Sequence, residues 1–408
     1  MTISPFPPST QHVTAAAGHS AIDSTPEAPV VFVGAQDTTI PHRYIAETAR
    51  PLSPPQPITN VLQDKRYQSP LRYPGAKRGL VPVIAAVIER AVKSRAIPAV
   101  DLLIEPFAGG ASASLRLVGL GVVNRAVLSD ADPLVASFWQ VASAEPQKLI
   151  ARMRDEHERW VKPGGDIALS RWDYWKAWRP DATASVSTNR FEMAVKCLFL
   201  NRTTFSGILH GGAGPIGGRA QTSAYDIGCR FNPDGLAERV EYVGHLYETH
   251  RIADVWCLDW KDALDQVSSA YKSVGPDKTL AYLDPPYFEK SQHLYNKSFG
   301  SARDAREWTG SMDHQTLAGY LRTEARFRWL LSYDHDPELL SNPMLYAPSR
   351  MRPSSDHPEV RSWFISKRLV DFTYTTSAQS GRSATSELLL TTLPASAVPT
   401  SDRLKPLS

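Results

Sequence analysis

The chain has 408 residues and a formal net charge of +3, long enough to bury one large core or two smaller ones. Its 42% hydrophobic content, with no apolar run near the ~20 residues that span a bilayer, fits a soluble globular protein without membrane attachment. The mild positive charge neither demands nor excludes a polyanionic partner, and three widely spaced cysteines, Cys197, Cys229 and Cys257, form no zinc or disulfide framework and suit a reducing cytoplasm.

Residues 1–65 are rich in Ser, Thr, Pro and Ala and read as a disordered or loosely attached arm, with Val30 to Val33 as its one short apolar patch. They lack the basic start and apolar core of a secretory signal, and Asp23 and Glu27 count against a transit peptide. The folded part opens at Ser69 to Arg78, where Pro74-Gly75 forces a turn before a helix through Leu80, Ile84, Val87 and Ile88. Lys77 falls at that loop-to-helix junction, where backbone N–H groups favour anions; an ordinary solvated lysine fits this stretch better.

Val100 to Ile104 is a buried strand that runs into Glu105-Pro106-Phe107-Ala108-Gly109-Gly110-Ala111-Ser112 and then a helix. Strand, glycine-bearing turn and helix open a doubly wound nucleotide-binding sheet. The turn is not GxGxxG, and Glu105 at the strand end would repel a pyrophosphate. A cationic or zwitterionic ligand suits it instead. The next strand, Arg125 to Ser129, ends in Asp130-Ala131-Asp132. Asp132-Pro133 looks like a helix cap, which leaves Asp130 as the candidate for ribose hydroxyls. A ribose-binding acid without a phosphate loop favours S-adenosylmethionine over NAD.

From about Glu145 to Tyr247 the strand–helix alternation lapses. Arg171 to Trp178 interleaves aromatics with charges as nucleic-acid surfaces do, although Trp172 and Trp175 at helical spacing fit a core better. After a helix from Phe191 to Leu200 come Asn201-Arg202-Thr203-Thr204-Phe205-Ser206-Gly207 and a glycine-rich loop, Gly211 to Gly218, with Arg219, Gln221 and Arg230 around it. A polar, basic excursion of this length suits substrate recognition.

The sheet resumes at Ala253 to Leu258, ending in Asp259, a carboxylate placed to meet the amino group of a cofactor adenine. Thr279 to Leu283 is the next strand, and it stops at Asp284-Pro285-Pro286-Tyr287 because two prolines cannot continue a ladder. Two readings fit this corner. Asp284 and the Pro285 carbonyl can accept from an exocyclic amine while Tyr287 stacks on its ring, or the strand merely ends in a capped turn. A polar stretch, Tyr295 to Arg306, precedes a helix from Asp313 to Thr323 and the strand Trp329 to Tyr333. Phe372 to Thr375 and Ser386 to Thr391, with Gly381-Arg382 between them, suit late antiparallel pairing at the sheet edge. The tail 393–408 is Pro/Ser-rich and is expected to be disordered.

Taken in order, these segments resemble the Dam-like, D12-class N6-adenine DNA methyltransferases. The residues that carry the likeness are Tyr73-Pro74-Gly75-Ala76-Lys77, Glu105 to Ala111, Asp130-Ala131-Asp132, Asn201 to Gly207, Asp284 to Tyr287, Leu330 to Ser332, and Arg382 with Glu387 to Thr391. The resemblance implies an α/β fold, a Rossmann-like S-adenosylmethionine-dependent methyltransferase sheet built from 66–148 and 248–392. A mainly helical and loop DNA target-recognition domain, 149–247, would be inserted in it. Ala76 and Ala111 stand where the family has Gly, and Asp132 where it has Asn. The loop Gly211 to Arg230 is unlike the short Arg-bearing turn of the enzymes that read GATC, so no target sequence carries over.

The same resemblance implies roles. Tyr73, Lys77, Glu105, Phe107, Gly109, Gly110, Asp130, Asp259 and Asp284 would hold S-adenosylmethionine. Asp284, Pro285, Pro286 and Tyr287 would act on an adenine flipped from duplex DNA; Asn201, Arg202, Arg219, Gln221 and Arg230 would contact the DNA. The adenine amine is a poor nucleophile because its lone pair is delocalised. Acceptors at Asp284 and Pro285 would aim that pair at the sulfonium methyl for an in-line transfer that needs no metal. The expected partner is double-stranded DNA, with a cognate restriction enzyme left open, and the protein is expected to act as a monomer in the cytoplasm. An RNA adenine or cytosine-N4 methyltransferase, or a non-catalytic DNA-binding relative, are the rival readings.

Overall fold

A computed structural model describes residues 68–72, 79–286, 313–356, 360–373, 384–398 and 404–407, all within one compact unit of the chain, 35–408. The expected arm 1–65, Tyr73, Lys77, Tyr287, the stretch Tyr295 to Arg306 and Gly381-Arg382 lie outside the described residues.

The first helix among the described residues, α1 (Val81–Lys93), has Pro82 in its opening turn and buries the stripe Ile84, Val87, Ile88 and Ala91, as its apolar spacing predicts. Then follow β1 (Leu102–Glu105), α2 (Ser112–Gly119), β2 (Arg125–Ser129) and α3 (Pro133–Ala144). Asp132 caps α3 by accepting from the Leu134 N–H, with Pro133 at the first helical position. Four helices come next: α4 (Pro146–Glu156), which runs on into a wider π turn at His157–Val161, α5 (Gly165–Ala177), α6 (Val186–Thr203) and α7 (Pro233–Glu248). The chain then returns to β3 (Ile252–Trp256), α8 (Trp260–Ala270), β4 (Thr279–Leu283), α9 (His314–Thr323), β5 (Arg328–Asp334) and α10 (Pro337–Ser341). It closes on β6 (Ser366–Thr373), β7 (Ala384–Thr391) and β8 (Leu404–Pro406).

The strands form one eight-stranded sheet in the order β3-β2-β1-β4-β5-β7-β6-β8. The β3-β2-β1-β4-β5 part is parallel, and β7 runs antiparallel to both β5 and β6. Alternate residues of the parallel strands enter opposite layers, as the pleat requires. Leu103, Leu128, Leu280 and Tyr282 join one buried cluster with α1 and α3; Leu102, Ile104, Ala281 and Leu283 join another with α8 and α9. Because β1 leads outward to β2 while β4 leads outward to β5, the connections diverge between β1 and β4. A crevice opens past the carboxyl ends of strands at such a switch point.

Two expectations change here. The segment 149–247 is largely helical, yet it does not form a core of its own: α6 and α7 pack on α3, and residues from α1 through α7 share one buried cluster. The reason lies in α6, where Ala194 to Thr203 are all buried, the mark of a helix enclosed on every side. The tail differs as well. Ala397 and Val398 are buried, and β8 adds an antiparallel edge strand to β6 with Lys405 opposite Leu369. Pro406 is tolerated there because an edge strand need not donate outward. None of the described helices is long and apolar enough to cross a membrane.

Candidate functional site

The turn after β1 is assembled by carboxylates. Asp130, at the end of β2, accepts from the Gly109 N–H through Oδ2 at 2.8 Å and from the Asp132 N–H through Oδ1 at 2.9 Å. Glu105 Oε2 accepts from the Ser114 N–H at 3.1 Å. The Ala108 N–H donates to the Ser129 carbonyl, and the Trp139 indole N–H on α3 donates to the Gly109 carbonyl at 2.9 Å. Gly109 has a φ of 45° and Ala111 a φ of 44°, so the turn passes twice through the left-handed region. Glycine enters that region freely, whereas at Ala111 the Cβ makes it costly.

Burial dominates the electrostatics. Glu105 is almost fully enclosed, and loss of hydration lifts its pKa to about 8, with the nearby Asp284 and Asp130 charges adding to the rise. Asp130 rises to about 7, again through lost hydration first and the Asp132 charge second. Asp130 as a residue is half-buried. With these turn N–H groups taken by carboxylates, the loop offers little to a pyrophosphate. It suits a cation or a hydroxyl-bearing ligand.

Across the switch point, β4 pairs with β1 in the register Ile104 opposite Ala281. Asp284 therefore emerges beside the Glu105 turn, close enough for its charge to act on Glu105. Ser332 on β5 donates to Asp284 Oδ1 at 3.1 Å and lies 3.0 Å from the Tyr282 hydroxyl. Pro285 is buried and Pro286 half-buried. Phe107 is half-buried on the α8 side, and Gly109 and Gly110 are buried. Asp259 lies past β3 as the cap of α8, with Oδ1 accepting from the Lys261 and Asp262 N–H groups at 2.9 Å. The Ser129 hydroxyl ties this end to the Leu258 carbonyl at 3.0 Å. Cys257, in the same region, is no nucleophile: burial pushes its thiol up to about 12, with Asp130 adding to the rise.

Residues 73–211 match the family model of the D12 class N6 adenine-specific DNA methyltransferases. That match takes in the Glu105 turn, Asp130 and the Asn201 segment, but it ends before Asp259 and Asp284. The Asp284 corner thus stands on the sheet register that puts it beside a turn inside the methyltransferase match. No curated protein matches the chain.

The residues grouped for DNA contact separate into two sets. Asn201 is fully buried, and its side chain clamps Arg72 through both backbone atoms, at 2.7 and 2.6 Å, while also donating to the Gly207 carbonyl. Arg202 is also inside and donates to the Pro70 carbonyl. Both hold the segment 69–72 against α6, so the expectation of direct DNA contact gives way to a structural role. Gly207 belongs to the same joint: its φ is 76°, and a Cβ there would stand 2.6 Å from the Arg72 carbonyl oxygen. Gln221 organises its loop by donating to the Ile216 and Gly218 carbonyls and accepting from the Ile227 N–H. Arg219 is exposed, in a two-pronged pair with Asp173 at 2.7 Å, and Arg230 is exposed near the Tyr225 ring. Trp172 and Trp175 belong to the core.

Three features escape sequence reasoning. Phe205 is 66% exposed although its turn is tightly anchored, with its N–H on the Gly214 carbonyl. His210 reaches Asp132 at 2.6 Å, joining the glycine-rich loop to the corner after β2. Ser332 buttresses Asp284 from the neighbouring strand. Among the described residues no group of three His, Cys, Asp or Glu side chains is arranged to hold a metal.

Proposed function

We propose that the protein transfers a methyl group from S-adenosylmethionine to N6 of an adenine rotated out of duplex DNA. The observation that carries this reading is the placement of Asp284 and Pro285 at the end of β4, one strand away from a carboxylate-lined turn. The buried acids Glu105 and Asp130 fit a ligand that brings a sulfonium and a ribose, since each gains from a cation or hydroxyl donor. When bound, that cofactor supplies an electrophilic methyl group on a positively charged sulfur.

The protein's part is to place the amine. The Asp284 carboxylate and the Pro285 carbonyl accept the two N6 hydrogens, which draws the nitrogen towards a pyramidal shape and turns its lone pair to the methyl carbon. Glu105 and Asp130 would hold the cofactor as it gives up its methyl group and its sulfur leaves neutral, and Asp284 or water would take the surplus N6 proton. Target recognition falls to the exposed side of the segment between α6 and α7. There Phe205 and Tyr225 offer ring faces for bases, and Arg230 offers a cation for phosphate. Tyr73, Lys77 and Tyr287 belong to the same proposal as cofactor- and base-lining residues, and Asp259 is proposed to use its second oxygen on the cofactor adenine.

The test is transfer of a labelled methyl group from S-adenosylmethionine to unmethylated duplex DNA, followed by identification of the modified base. N6-methyladenine is the expected product; N4-methylcytosine, or activity confined to RNA, would move the assignment to a rival reading. Asp284→Ala should lower transfer by at least about 100-fold while circular dichroism and melting remain native. Undiminished transfer by that variant removes Asp284 from the reaction.

A further inference from the structure

We propose that Ser332 is a positioning residue for the Asp284 carboxylate, held in turn by the hydroxyl of Tyr282. This rests on the reading of Asp284 as the acceptor of the target amine. Tyr282 and Ser332 lie on adjacent parallel strands, β4 and β5, aligned as Leu283 opposite Leu331, and both are buried. Ser332 Oγ stands 3.0 Å from Tyr282 Oη, 3.1 Å from Asp284 Oδ1 and 3.4 Å from the Leu283 carbonyl oxygen.

The directions follow from the donor inventory. Serine has one hydroxyl proton, and an ionised carboxylate can only accept. Of the two neighbours that can only accept, Asp284 at 3.1 Å is nearer than the Leu283 carbonyl at 3.4 Å and is charged, so it takes that proton. Ser332 Oγ is then left as an acceptor, which the Tyr282 O–H satisfies. Burial, and next the Asp284 charge, hold the Tyr282 phenol well above its ordinary pKa, so it remains a donor through the working range.

This chain fixes the rotation of the carboxylate about its last bond. The oxygen anchored by Ser332 faces β5, and the plane of the other is set relative to the Pro285 carbonyl. An acceptor pair that must meet both hydrogens of one amine needs that orientation, since in-line transfer tolerates little misplacement. The Asp284 charge is felt by Glu105 on β1, Tyr282 on β4 and Tyr333 on β5, and Glu387 on β7 acts on Tyr282 as well. The Ser332 hydroxyl donates a hydrogen bond that favours the charged form of Asp284.

Ser332→Ala should lower kcat roughly 10- to 100-fold, the factor expected when a hydrogen bond to a charged group is lost, with KM for DNA and cofactor within about twofold. The acidic limb of the kcat profile should move to higher pH, because the carboxylate has lost a donor to its charged form. Ser332→Thr keeps the hydroxyl and should restore both values. Tyr282→Phe should shift them in the same direction by less. Carbon-13 NMR of labelled aspartate gives a readout that needs no turnover: the Asp284 titration should move up in Ser332→Ala and stay in place in Ser332→Thr. An unmoved titration, or Thr behaving as Ala does, would overturn the proposal. A wild-type protein that methylates nothing would instead defeat the assigned function, and the NMR titration would still decide the role of Ser332.

Discussion

Glu105 and Asp130 set the residue-scale behaviour of the site, because both carboxyls hold protons in the folded chain at pH values where a solvated acid has lost them. Glu105 titrates near 8 against an ordinary 4.5, and Asp130 near 7 against 3.8. The folded state therefore binds more protons than the unfolded one between those limits, and this pair lowers stability as pH rises through the window. A cation entering the cleft favours the charged forms, so binding should expel protons. Calorimetric titration with S-adenosylmethionine in buffers of different ionisation enthalpy should show proton release at pH 6 to 7, with affinity rising towards pH 8. Proton-neutral binding with a flat pH profile would argue that the ligand's charge lies elsewhere. The position of these acids was legible in the sequence because each stands at the end of an apolar strand. Asn201 and Arg202 misled for a chemical reason: side chains able to grip a phosphate grip buried backbone equally well. Ser332 and His210 could not be assigned roles, since their partners, Asp284 and Asp132, lie 48 and 78 positions away.

At the scale of elements, α4, α5 and α6 are joined by a charged cluster rather than by apolar contact alone. Glu156, only 1% exposed, is paired with Arg171 and Arg152; Arg152 also grips Glu192 on α6 at 2.9 Å, and the Trp175 N–H reaches Glu156 Oε2 at 3.3 Å. Burial alone would raise the Glu156 pKa, but these partners prevail and hold it below the ordinary value. The stabilisation it lends is present above the unfolded carboxyl pKa and is lost as pH falls through the folded one. Glu156→Ala takes the carboxylate from Arg171 while Arg152 keeps Glu192, and should cost about 3 kcal/mol, read as a lower denaturant midpoint; a midpoint unchanged within about 0.5 kcal/mol would show that water replaces the pair. The helices themselves were partly visible from their spacing. The full extent of α6 was not, because a helix buried on every side has no polar face to mark its period.

On the scale of the whole molecule, the sheet ends at β3 on one side and at β8 on the other. β8 covers the outer edge of β6, and Lys405 adds an exposed pair with Asp371 at 2.6 Å that is worth little by itself. Ending the chain after Val398 should bare the β6 edge, lower the melting temperature and promote concentration-dependent association, as unpaired edges do. Light scattering that stays monodisperse, with an unchanged melt, would show that β8 is dispensable. A Pro/Ser-rich tail gave no hint of this strand, since so short an edge element needs only backbone pairing and little apolar content.

The shared core of α3, α6 and α7 bears on how the proposed recognition surface could be altered. A module with its own interior could be cut out and grafted between relatives, but here removal of 149–247 would strip the covering from α3 and from one face of the sheet. The stretch from Thr204 to Asn232 is the more exchangeable piece, moored by a few apolar side chains such as Ile216, Ile227 and Phe231. Diversification should then proceed by rewriting that surface while the helices beneath it stay fixed.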